Sequence, residues 1–308
     1  MGIARSLLLR ASRSRWLAAQ FSRRAFARRA LRRFMPGEHV EDALAAARRL
    51  EQEGHGTVLT QLGENLTSLA EAEAVHDHYA ALLETVRDRR LPTHISVKPT
   101  QLGLDLSSDA CGRHLDSLAQ LAAAAGSFLW IDMEDSSYVD RTLDLYRVLR
   151  SRHERVGVCL QAYLRRTPAD LASLLPLLPA IRLVKGAYAE PAALAFPAKR
   201  EVDQAFARLG RTMLEASARS RSLSVFGTHD LQLIAMLRAI AADLAVPDGC
   251  LEVHMLYGIR SADQQRLARN GLKVRTLISY GQHWFPWYVR RLAERPANVW
   301  FVVRALLG

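Results

Sequence analysis

The chain has 308 residues, 49% of them hydrophobic and 24% charged, enough to bury one large core and at the upper end of what one domain holds. Cys111, Cys159 and Cys250 are its three cysteines; they form no CxxC and no short ligand spacing, which argues against a disulfide scaffold, a structural zinc site or any other metal centre. The net charge of +11 is local: ten of the 42 basic residues are arginines within residues 1–37, which hold no acid, leaving 32 bases against 31 acids elsewhere. A charge confined to one arm, without a base-reading motif, argues against a specific nucleic-acid partner.

Residues 1–37 are read as a basic helical arm and 38–308 as the main domain. In the arm, arginines interrupt Leu, Ala, Trp16, Phe21, Phe26 and Phe34, the composition of an amphipathic helix. Three origins stay open for it: packing on the domain, peripheral contact with the inner membrane, and an organelle-type presequence. It contains no uninterrupted apolar run of roughly twenty residues, so a transmembrane span is not expected and the cytoplasm is the expected location.

VEDALAAARRLEQE (40–53) places Leu44 and Ala47 near one face of a helix closed by Gly54 and Gly56. TVLTQLG (57–63) then reads as a strand, followed by an alanine-rich helix to about Arg90. The alternation repeats through THISVKPTQLG (93–103), FLWIDMEDS (128–136), VGVCLQAYL (156–164), AIRLVKGAY (180–188), LSVFGTHD (223–230), LEVHMLYG (251–258) and KVRTLISYG (273–281). Eight strands, each followed by a helical segment, match the closure number of a (β/α)8 barrel of TIM type. No GxGxxG follows the first strand, which disfavours a doubly wound open sheet.

A barrel brings the C-terminal ends of its strands together, so polar residues there should converge. Lys98, Asp132, Gln161, Arg182, Lys185, Thr228, His229 and Tyr280 occupy that zone. Lys98 in ISVKP and Asp132 in LWIDME are costly to bury alone and reasonable as a pair or in a polar pocket. Arg182 and Lys185 point to opposite sides of an extended strand, unless the chain curves at Gly186 and carries Lys185 over the sheet end. Gly186 and Ala187 leave room for a ligand near backbone donors, suiting a phosphate or an electron-rich ring. His229 has no HxH or HExxH companion, so hydrogen bonding to a cofactor is preferred to metal ligation. In FPWYVRRLAE, Arg290 and Arg291 lie four and three residues before Glu294, which suits a carboxylate clamp with a supporting acid.

SVKPTQLGL, WIDMEDS, GVCLQAYLRRT, IRLVKGAY, GTHD, EVHMLYGIR and YG followed by WYVRRLAERPAN, in that order over about residues 57–298, resemble the monofunctional bacterial proline dehydrogenase family and the proline dehydrogenase domain of bifunctional proline utilisation enzymes. The resemblance implies Asp132 and Arg182 as catalytic residues, Lys98 and Tyr280 at the substrate, and Arg290 with Arg291 on its carboxylate, held by Glu294. It implies FAD as cofactor, contacted by Met133, Gln161, Lys185, Gly186, Ala187, Thr228 and His229. The implied reaction oxidises L-proline to Δ1-pyrroline-5-carboxylate by hydride transfer to flavin N5, the first step of proline catabolism to glutamate. Electrons would pass to ubiquinone or another membrane quinone, and the product to a downstream pyrroline-5-carboxylate dehydrogenase. The arm matches the family less distinctly than the barrel does.

Overall fold

A computed structural model of the chain describes residues 33–63, 66–285 and 287–288. Eight short strands, β1 (Gly56–Gln61), β2 (Thr93–Val97), β3 (Leu129–Ile131), β4 (Val156–Gln161), β5 (Ala180–Val184), β6 (Leu223–Gly227), β7 (Leu251–Leu256) and β8 (Lys273–Tyr280), pair in parallel in sequence order. β8 returns to β1, with Thr60 opposite Ser279 and Gln61 opposite Tyr280, and closes the barrel. The expected (β/α)8 fold is therefore present.

Helix α1 (Val40–Gln52) precedes the first strand, and α2 (Leu69–Asp88), α3 (Ser108–Ala124), α4 (Val139–Arg150), α5 (Thr167–Leu174), α6 (Lys199–Ser220), α7 (Leu231–Asp243) and α8 (Ser261–Arg269) follow β1 to β7 in turn. Several begin where a short polar side chain satisfies amides that a helix start leaves without partners. Ser68 accepts from the Glu71 amide, Ser107 from Ala110, and Asp230 from Gln232 and Leu233.

Strand residues alternate between two apolar regions, because successive side chains leave a sheet on opposite faces. The outer layer between strands and helices is the larger one and includes Leu59, Ile95, Ile131, Val158, Leu183 and Ile278. Inside the barrel a small cluster of Val58, Phe128, Trp130, Ala180 and Val225 fills the middle. Below it sits a polar floor, where Arg275 Nε donates to Glu252 Oε2 at 2.9 Å and Trp130 Nε1 to His94 Nδ1 at 3.3 Å.

One slot of the outer ring is filled from ahead of the sheet. Helix α1, although it comes before β1, packs against both β1 and β8 and buries Ala43, Leu44, Ala46 and Ala47 there. That slot lies where a helix after β8 would sit. Of the residues described after β8, Trp284, Phe285 and Tyr288 are buried and Trp287 reaches the cavity at the C-terminal ends of the strands.

The end of the basic arm meets this segment. Met35 is buried, the Phe34 and Tyr288 rings lie 6.2 Å apart, and Trp284 Nε1 donates to Glu38 Oε1 at 2.9 Å. Gly258 has φ +72°, and a Cβ there would stand 1.5 Å from the Arg33 carbonyl oxygen, so the β7–α8 turn admits the arm only as glycine. Residues 1–32 lie outside the described residues, as do Arg290, Arg291 and Glu294. Among the described residues, no helix is long and apolar enough to cross a membrane.

Candidate active site

A cavity of about 1170 Å³ opens at the C-terminal ends of the strands. Lys98, Asp132, Met133, Gln161 and Arg182 line it from β2 to β5. Lys185, Gly186 and Ala187 line it beyond β5, and Thr228 and His229 beyond β6. Ten residues singled out in the sequence thus share one wall, although 131 positions separate the first from the last. A second groove, about 700 Å³, lies between α3 and α4, away from the strand ends.

The centre of the wall is an ion pair that spans β3 and β5. Arg182, 2% exposed, donates from Nη2 to Asp132 Oδ1. Asp132 thus has a guanidinium partner that the sequence reading, which considered pairing it with Lys98, did not name. Ser96 on β2 accepts from Arg182 Nη2 at 2.7 Å and donates to Asp132 Oδ1 at 2.9 Å. Cys159 on β4 accepts from Arg182 Nε at 2.8 Å, and its thiol donates to Asp132 Oδ1 at 3.6 Å. Burial pushes the Cys159 thiol up to about 11, so the sulfur carries its proton at neutral pH. The Trp130 ring lies under the guanidinium, 5.1 Å from centroid to Cζ.

Gln161 closes the neighbouring part. Its Nε2 donates to the carbonyls of Glu134 at 3.0 Å and Met133 at 3.4 Å. The Glu134 carboxylate in turn accepts from Thr100 Oγ1 at 2.7 Å and from the Thr100 amide. This braces the turn after Lys98, where Pro99 opens a short 3-10 helix, Pro99–Leu102. The amide of Gln161 is thereby fixed in sense, with Oε1 buried and without a partner among the described residues.

Lys185 does curve over the sheet end, reaching the cavity that Arg182 also lines. Its Nζ donates to Asp203 Oδ1 at 2.6 Å and Asp230 Oδ2 at 3.2 Å. Partial burial pushes these two carboxyls up, and Lys185 with Lys199 brings both below their ordinary range. Two carboxylates balance its charge, so Lys185 serves a neutral acceptor better than a phosphate. Gly186, at φ +108°, is required by the protein itself: a Cβ would stand 2.2 Å from the Tyr163 ring. His229 Nε2 accepts from the Leu256 amide at 3.2 Å, which places the imidazole proton on Nδ1 and ties the loop after β6 to β7.

Tyr280 stands apart. Inward positions on β8 are Leu277 and Ser279, which line the cavity, whereas Tyr280 has the opposite parity and does not. Its hydroxyl meets His78 Nε2 on α2 at 2.7 Å, and burial raises the phenol well above its usual value and lowers the imidazole. Ser96, Cys159 and His254, which sequence reasoning did not single out, all line or floor the site. Ser96 and Cys159 were marked by parity, since they lie two residues before Lys98 and Gln161, whereas His254 had no such neighbour among the residues singled out.

A profile of the proline dehydrogenase family matches residues 43–304. The chain belongs to the proline dehydrogenase family. Among its relatives in that family, proline dehydrogenase 1 of Bacillus subtilis (strain 168) is 36% identical over 276 residues, covering 90% of each chain. The proline dehydrogenase of Deinococcus radiodurans is 36% identical over 280 residues, covering 89% of each. A crystal structure of proline utilization A from Bdellovibrio bacteriovorus, inactivated by N-propargylglycine, superposes with a TM-score of 0.77 over 85% of this chain and 32% of that one. At 24% identity that last likeness speaks to the barrel alone, whereas the two shorter proline dehydrogenases match this chain almost end to end.

Proposed function

We propose that this chain oxidises L-proline to Δ1-pyrroline-5-carboxylate with bound FAD as the oxidant. The observation that carries the reading is that two residues lining one cavity in a proline dehydrogenase family barrel each keep a buried polar atom without a partner among the described residues, Arg182 Nη1 and Gln161 Oε1. A donor edge and an acceptor edge fit a heterocycle that presents both carbonyl oxygens and N–H groups. The volume, about 1170 Å³, is above what a free amino acid needs. The residues therefore fit FAD, and Met133, Gln161, Lys185, Gly186, Ala187, Thr228 and His229 are those that would hold it.

FAD, when bound, supplies the hydride acceptor, and the protein supplies alignment. Lys98 and Asp132 orient the substrate amine, with the Asp132 carboxylate available to accept a hydrogen bond from it. Arg182 holds that carboxylate in place through its hydrogen bond. Arg290 and Arg291, steadied by Glu294, take the substrate carboxylate and exclude simple cyclic amines. The final electron acceptor would be ubiquinone or another membrane quinone, and a pyrroline-5-carboxylate dehydrogenase would take the product. The basic arm brings the enzyme to the lipid surface where a quinone resides.

Anaerobic addition of L-proline to FAD-loaded protein is expected to bleach the oxidised flavin absorption; full loading without bleaching defeats the reading. Membrane contact is tested by deleting residues 1–32 and measuring liposome binding with quinone-coupled and dye-coupled turnover. Loss of the first two with the third retained supports it, and unchanged lipid binding and quinone kinetics reject it. The deletion stops before Arg33 because Arg33 and Phe34 line the cavity.

A further inference from the structure

Arginine carries five N–H groups in a rigid plane, and in Arg182 three sides of that plane are occupied. Nε is taken by Cys159, Nη2 by Ser96 and Asp132, and one face lies over Trp130. Only Nη1 is without a partner among the described residues, and it is buried. A buried donor left without an acceptor is costly, so the arrangement calls for something that accepts from Nη1. Arg182 lines the cavity, which leaves a ligand as that acceptor.

We propose that Ser96 and Cys159 are positioning residues that aim the Nη1 edge of Arg182 at the flavin ring. This rests on the assignment of FAD to the cavity. The hydrogen-bond senses make the aim specific. Ser96 and Cys159 each send their single proton to Asp132 Oδ1 and turn lone pairs toward Arg182. Asp132 alone could hold the guanidinium in several orientations. With two further acceptors from β2 and β4, only one keeps Nε on the sulfur and Nη2 on the hydroxyl, which leaves Nη1 as the edge of this cavity-lining residue that a ligand can take. A long side chain otherwise loses rotamer freedom when it meets its ligand, and fixing it beforehand gives a preorganised cation where charge develops on reduction. Ser96 and Cys159 act through Arg182 and need not touch substrate.

The test is the reduction potential of bound FAD, measured by dye equilibration in the holoenzyme, which needs no proline. A cation fixed at the ring favours the reduced flavin. Ser96→Ala and Cys159→Ala are each expected to shift the equilibrium about tenfold toward the oxidised form, about 30 mV for a two-electron couple. Cys159→Ser, which keeps an acceptor and a proton, is expected to restore most of that shift. In an Arg182→Lys background, where no Nη1 exists to aim, the same two alanine substitutions should add nothing. Unmoved potentials in fully loaded variants overturn the inference, and so does an equal shift in the Arg182→Lys background. If Ser96→Ala fails to load FAD, the Cys159→Ala and Cys159→Ser pair decides by the same criterion. A wild type whose loaded flavin is not bleached by proline defeats the proposed reaction and leaves this inference to the potentials; a wild type that binds no FAD defeats both.

Discussion

Asp132 and Arg182 form a pair whose two members differ in exposure, 23% for the acid side chain and 3% for the base, and that asymmetry sets what each substitution should do. Removing the partner of a fully buried charge costs about 3–5 kcal/mol. Asp132→Asn keeps the volume and one acceptor oxygen, and water reaches part of the site, so the loss of stability is expected at only about 1–2 kcal/mol. A charge-assisted hydrogen bond to the substrate amine is worth about 1.5–3 kcal/mol, which corresponds to a fall in kcat/KM of roughly tenfold to a hundredfold. Urea unfolding and steady-state kinetics on one preparation separate the two losses. A variant that is less stable yet retains kcat/KM would make the pair a structural tie between β3 and β5.

The inward residues of each strand were readable before any coordinates, because alternation of period two survives in the sequence and Lys98, Asp132, Gln161 and Arg182 all fall on the inward parity at strand ends. What alternation does not carry is distance across the lumen. Asp132 and Arg182 are fifty positions apart on strands that are not neighbours, so the pair, and the place of Cys159 between them, emerge only on closure. Parity also separates Ser279 from Tyr280, a distinction that the SYG motif conceals. The position of α1 was hidden for another reason. Helical periodicity identifies an apolar face without saying which strands it covers, and Leu44 and Ala47 would be buried equally well in any slot. With α1 in the gap between β8 and β1, Trp284 and Tyr288 after β8 meet Glu38 and Phe34. Removal of residues 1–38 takes away the buried Met35 and the Glu38–Trp284 bond. Relative to a chain lacking only residues 1–32, it should cost about 3–5 kcal/mol, mainly the lost burial of Met35. Equal urea midpoints for the two truncated chains would show that this contact adds nothing to stability.

At the scale of the whole barrel, the floor places a neutral histidine among charges. Burial is the largest influence on His254 and brings it down to about 4; Glu252 beside it favours its protonation, and Arg182 and Arg275 oppose it. In the unfolded chain the same imidazole takes up its proton near pH 6.5. Between these values the unfolded state binds more protons than the folded one, so stability is present above pH 6.5 and is lost as pH falls toward 4. Glu252 is held below its ordinary value and acts in a separate window, since its contribution is lost only as pH falls below about 4.5. From pH 6.5 to 4.5 the histidines therefore act alone among the floor groups, and His254 should contribute a loss of about 2–3 kcal/mol. His94, also lowered chiefly by burial, has the same sign. Urea unfolding at pH 7 and pH 4.5 is expected to show that decline in the wild type. The decline should shrink by the His254 share, leaving the His94 part, in His254→Gln, which cannot take up a proton. If the variant loses as much stability as the wild type over this interval, His254 is already charged in the folded barrel, and the floor beneath the Arg182 site holds one more positive charge than its burial would allow.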